Sequence, residues 1–145
     1  SGETLTTLQR LTFNLGVDSA RSVSGVQTGA LDPRRGMYWA WNSGYINLQL
    51  EGLSTQSPAP NKRLEYHLGG YAAPNKALRR IELRAEDNAN PAGKSQSPLL
   101  CVDVGAWLNA IDLHTTHSVM IPGPAAMRLC NTAMNMFSLI ADEKK

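Results

Sequence analysis

The chain has 145 residues, enough for one domain with a core of its own and too few for two. Hydrophobic residues make up 42% and charged residues 18%, a balance that excludes both a charge-dominated disordered chain and a lipid-embedded one. Lys+Arg 14 against Asp+Glu 12 leave a formal charge of +2, far short of the basic footprint of a nucleic-acid binder, and no apolar run nears the roughly 18 residues of a membrane span. The opening Ser1-Gly2-Glu3-Thr4 has neither the basic nor the apolar part of a signal peptide, so any export signal is expected to have been removed already. Residues 1–145 are expected to form a single domain.

Taken in chain order, residues 8–15 alternate loosely and Tyr45-Ile46-Asn47-Leu48-Gln49-Leu50-Glu51 alternates cleanly, predicting strands, the second with Ile46, Leu48 and Leu50 on its apolar face. Between them Ser24-Gly25, Thr28-Gly29, Asp32-Pro33 and Arg35-Gly36 are turn formers, which predicts a structured excursion and a candidate functional loop. Further strands are predicted over 63–68, 78–84 and 99–102, with loops at 57–60 and 88–91. Asp103 is placed to cap a short helix through 106–111, with Trp107, Leu108 and Ile111 on one face. Pro122-Gly123-Pro124 then opens a longer helix in which Ala125, Ala126, Leu129, Ala133, Met136 and Ile140 repeat at helical spacing, up to the charged end 142–145. The expected fold is mainly β: an antiparallel, sandwich-like domain with one short and one longer helix in the C-terminal third.

Cys101 and Cys130 lie 29 positions apart without metal-ligand spacing. A disulfide between them, which would add roughly 3 kcal/mol in an oxidising compartment, is the favoured reading, and two free buried thiols are the alternative.

The segment Met37-Tyr38-Trp39-Ala40-Trp41-Asn42-Ser43-Gly44-Tyr45 concentrates the aromatics of a chain that is only 6% aromatic. If extended, it sends Trp39 and Trp41 to one side about 7 Å apart, either as a core wedge or as a stacking platform. His114-Thr115-Thr116-His117 with Met120 offers two imidazoles and a thioether, a donor set that suits copper better than magnesium or calcium, although two surface histidines are the plainer reading. His67, in Tyr66-His67-Leu68-Gly69-Gly70, ends a predicted strand where paired glycines let other groups approach the backbone. Met127, Met134 and Met136 are expected to fill the core. GxSxG, HExxH and the phosphate-loop patterns are absent, so the chain is not expected to be an enzyme.

Leu15-Gly16-Val17-Asp18, Gly29-Ala30-Leu31-Asp32-Pro33, Gly36 through Tyr45, Leu50-Glu51-Gly52 and Tyr66-His67-Leu68-Gly69-Gly70, in that order, resemble the MbnP-like, methanobactin-associated copper-binding family. The resemblance implies a secreted or periplasmic β-rich protein that stores or delivers copper. It also implies a partner enzyme, di-haem and similar to cytochrome c peroxidase (MbnH-like), that in some members oxidises a tryptophan to kynurenine. Carried over by motif, the altered residue is Trp39 or Trp41, His67 is the best-matched ligand, and His114 or His117 is the second, with Met120 nearby. Family members generally carry additional β-structure before the Leu-Gly-Val-Asp segment, which raises the expectation of a protein partner supplying strands. The alternative function is a metal-free β module whose aromatic platform of Trp39, Trp41 and Tyr45 binds glycan or protein.

Overall fold

The structure, a computed structural model, describes residues 10–42, 44–84 and 98–141. The chain opening, the predicted loop at 88–91 and the charged end 142–145 lie outside the described residues.

Strand β1 (Arg10–Leu15) alternates exposed and half-buried residues and pairs antiparallel with β5 (Arg79–Arg84). After it, Asp18 caps a short helix α1 (Ser19–Val23) by accepting from the Arg21 amide. Two 3-10 turns, Gly29–Leu31 and Pro33–Arg35, make up the rest of the predicted excursion. Asp32 caps the second, and Gly36 closes it at φ 80, a left-handed conformation that suits glycine.

The central sheet runs in the order β2 (Tyr38–Trp39), β3 (Gly44–Leu53), β4 (Arg63–Gly69), β7 (Ser118–Val119), antiparallel except for the parallel β4–β7 pair. A register shift between Ile46 and Leu48 interrupts the predicted alternation of β3: Ile46 lies opposite Gly69, away from the core face predicted for it with Leu48 and Leu50, and both it and Tyr45 are buried. On the inner face Leu64, Tyr66 and Leu68 of β4 pack with Trp107 of α2 (Val104–Asn109) and with Ala126, Leu129, Cys130 and Ala133 of α3 (Pro124–Ala133). Asp103 caps α2 as its sequence position predicts, accepting from the Ala106 amide at 2.8 Å.

The fold is therefore mainly β, with the short and the longer C-terminal helices in place. The longer helix is shorter than its periodicity suggests. It passes through a 3-10 turn at Met134–Met136, and Phe137–Ala141 is a strand, β8, paired with β6 (Pro98–Val102). The predicted Cys101–Cys130 bridge is not formed: both thiols are free. Cys101 lies opposite Ser138 in the β6–β8 ribbon, whereas Cys130 is buried in the helix packed on the central sheet, where burial pushes its thiol up to about 11.

Candidate metal centre

The alternation of β4 sorts its residues between two faces, with Leu64, Tyr66 and Leu68 inward and Glu65, His67 and Gly69 outward. Gln49 lies directly opposite His67, and Glu51 opposite Glu65. His67 Nε2 is 2.6 Å from Glu51 Oε1, and the Gln49 side-chain amide donates to the same oxygen at 2.9 Å. These two hydrogen bonds, the histidine's foremost, hold the Glu51 carboxyl below its ordinary value of 4.5. An ionised carboxylate only accepts, so Nε2 carries the proton, and in the neutral imidazole the free lone pair falls on Nδ1.

Trp39 reaches the same face. Its β2 position lies opposite Gly44, and a side-chain carbon built on Gly69 would meet Trp39 Cζ3 at 2.6 Å. The indole therefore lies where the side chain of residue 69 would otherwise be, two residues along the strand from His67, a step of about 6.6 Å. Trp39 is buried, while Trp41 is 64% exposed. The two rings are tilted at 41° with centroids 5.3 Å apart. Trp41 stands in the turn after β2 instead of extending the strand, so its stacking on Trp39 comes from the turn. Tyr45, the third member of the predicted platform, is buried, with its hydroxyl between the Gln27 amide and the Leu31 carbonyl.

The other predicted donors sit on the loop leading into β7. The Asp112 carboxylate accepts from the His114 amide at 3.0 Å and the Thr115 hydroxyl at 2.9 Å, which lowers its pKa. His117 Nδ1 lies 3.2 Å from the His114 carbonyl, and the His117 carbonyl accepts from the Glu65 amide at 2.9 Å. This fixes the loop beside the start of β4. Met120 follows Val119, the last residue of β7, which lies opposite Tyr66 of β4. His117 is three residues earlier, roughly 10 Å along the strand direction.

The predicted residues thus fall into two groups: Trp39, Trp41 and His67 at the outer face of β4, and His114 with His117 on the loop before β7, with Met120 just past the end of β7. Among the described residues no three His, Cys, Asp or Glu side chains gather as a ready ion cage. Any ion here must draw on other donor types, and an imidazole nitrogen beside a thioether is a set that fits copper. Sequence reasoning missed Glu51 and Gln49, although the alternation of β3 already placed both on the face opposite Leu48 and Leu50.

A family model described as MbnP matches residues 2–121. No curated protein and no solved structure matches.

Proposed function

Since the chain belongs to the MbnP family, membership that suggests a methanobactin-associated, copper-related protein, we propose that it is a non-catalytic copper carrier whose binding centre is the outer face of β4, around Trp39 and His67. The observation that supports this most is the Trp39 ring lying over Gly69, two residues along β4 from His67, which brings sequence-distant residues to one face of the strand. His67 supplies an imidazole nitrogen, oriented from behind by Glu51, as metal-binding histidines commonly are by a carboxylate. Met120, one residue past the end of β7, is the further donor in this reading.

An intact indole offers a metal no in-plane lone pair. Kynurenine in its place exposes an aniline nitrogen and a carbonyl beside the imidazole. In this reading Trp39 is the residue converted, by a di-haem partner enzyme resembling cytochrome c peroxidase: hydrogen peroxide, reduced to water, supplies the two oxygens that open the indole C2–C3 bond, water then releases C2 as formate, and Trp41 is the exposed ring that covers it. The protein works in the periplasm or outside the cell and stores or delivers copper. No helix of the described residues is long and apolar enough to cross a membrane.

Co-expression with such a di-haem enzyme, followed by intact mass and peptide mapping, tests the proposal. The expected result is a gain of about 4 Da, one carbon lost and one oxygen gained, mapped to Trp39. An unaltered Trp39, or a gain confined to Trp41, contradicts it.

A further inference from the structure

Strand β3 is paired unevenly on its two sides. Toward β4 its partners run from Ile46 to Leu53, whereas on the other side β2 reaches only Gly44 and Tyr45, with one further bond from the Ile46 amide to the Met37 carbonyl. Residues 48–53 therefore form an open sheet edge among the described residues. The Ser54 amide donates across to the Lys62 carbonyl, while the Glu65 amide points away from β3, to the His117 carbonyl. Together these fix the alternation: residues 48, 50 and 52 turn their backbone groups to β4, and residues 49, 51 and 53 turn theirs to the open edge. No backbone partner meets the N–H and C=O groups of Gln49, Glu51 and Leu53 among the described residues.

Such a row of free donors and acceptors templates another strand, and proteins commonly blunt it with lysine, proline, a bulge or an overlying element. Residues 48–53, Leu-Gln-Leu-Glu-Gly-Leu, contain no lysine and no proline, and the register shift of β3 falls before them. Their apolar side chains are incompletely covered: Leu48 and Leu50, on the core side, are half-buried, and Leu53 is 76% exposed. A carbon built on Gly52 meets nothing within 4 Å, so there is room beside it for a neighbouring strand's side chain.

We propose that this edge pairs with the same edge of a second copy of the chain, antiparallel about a two-fold axis at Leu50, so that one continuous sheet runs through a symmetric dimer. A two-fold perpendicular to the sheet keeps core-side residues opposite core-side residues and outer residues opposite outer ones, which leaves few registers. With the axis at Glu51, two carboxylates stand directly opposite each other, which is destabilising. With the axis at Gln49, the paired stretch runs into the register shift and onto Asn47. With the axis at Leu50, Gln49 faces Glu51 of the second copy on the outer side, an amide donor against a carboxylate, and the two residues exchange backbone hydrogen bonds on each side of the axis. On the core side Leu50 meets Leu50, and Leu48 enters the room beside Gly52. The edge is thus complementary to itself, its one charge met by its own Gln49, and this selects a second copy over an unrelated extended chain. The dimer does not depend on copper, and it leaves the His67 faces of both copies on the same side of the sheet.

Sedimentation of the metal-free full chain between about 1 μM and about 1 mM, with amide hydrogen exchange followed at the same concentrations, tests the pairing. The expected result is a monomer–dimer equilibrium in which exchange at the Gln49 and Glu51 amides slows about tenfold as dimer forms, while the Leu50 and Gly52 amides, turned to β4, are slow throughout. Gln49→Glu, which sets carboxylate against carboxylate twice across the axis, is expected to weaken the dimer about tenfold, and Gln49→Lys to tighten it. A chain that stays monomeric throughout overturns the proposal. So does a dimer in which the Gln49 and Glu51 amides stay fast, or slow exchange at both already in dilute monomer, the sign of an edge covered by another part of the chain. Equal dimerisation of the two Gln49 variants overturns it as well, and the exchange pattern is read on the natural sequence, independent of any variant's folding.

Discussion

Gly69 shows how one missing side chain organises the outer face of β4, the proposed copper site. A carbon added there would lie 2.6 Å from the Trp39 ring and 2.6 Å from the Tyr45 carbonyl, and the second is backbone, which cannot swing aside. Gly69→Ala is therefore expected to cost about 1–3 kcal/mol in urea denaturation and to alter the near-ultraviolet signal of the tryptophans. At Gly52, on the neighbouring strand, an added carbon meets nothing within 4 Å, so Gly52→Ala should leave both unchanged. Glu51 carries a pH signature. Its carboxyl is held below 4.5 in the folded protein, first by His67 and then by Gln49. A depressed folded pKa contributes stability that is present above the unfolded value and lost as pH falls through the folded one. The advantage of the natural chain over Glu51→Gln should accordingly be present near neutral pH and shrink on acidification below 4.5, and denaturation midpoints in the two ranges measure it. Because Glu51 is a surface group, that advantage is small.

At the scale of elements, β4 joins the core to the outer face and to the loop before β7. Burial pushes the Tyr66 phenol up to about 12, and its hydroxyl donates to the Thr116 carbonyl. Tyr66→Phe should cost roughly 0.5–1.5 kcal/mol and speed hydrogen exchange at the Thr116 amide, which itself bonds to the Asp112 carbonyl. Unchanged exchange there would mean that the tyrosine does not hold the loop. Most strands were legible because their alternation is local: β3, β4 and β5 lie within a few residues of their predicted limits. The end of α3 was not. Met136 and Ile140 satisfy a helical period, but Phe137-Ser138-Leu139-Ile140 equally satisfies a strand, and only the presence of β6, a long way back in the chain, decides between them. The position of Trp41 was hidden for a related reason. Strand alternation predicts two indoles on one side, whereas the hairpin turns immediately after Trp39, and the rings meet by stacking instead.

For the whole molecule, the candidate donors could be picked from the sequence but their grouping could not. Histidines 67, 114 and 117 were all visible as scarce, chemically useful residues. Their separation into a strand-face group and a loop group depends on the parallel β4–β7 pairing, a long-range contact that no local pattern encodes. The residues 2–121 matched by the family model include both groups, while α3 and β8, which lie beyond them, help to cover the inner face of the same sheet and its surroundings. The proposed copper face is thus supported from behind by the C-terminal helix. Its assignment is tested most directly by copper titration of the tryptophan-oxidised protein, compared with His67→Ala and with the double change His114→Ala and His117→Ala. The account predicts binding tighter than micromolar that weakens at least tenfold on loss of His67 and is unchanged by the double substitution. Binding that survives loss of His67 and disappears with His114 and His117 would contradict it.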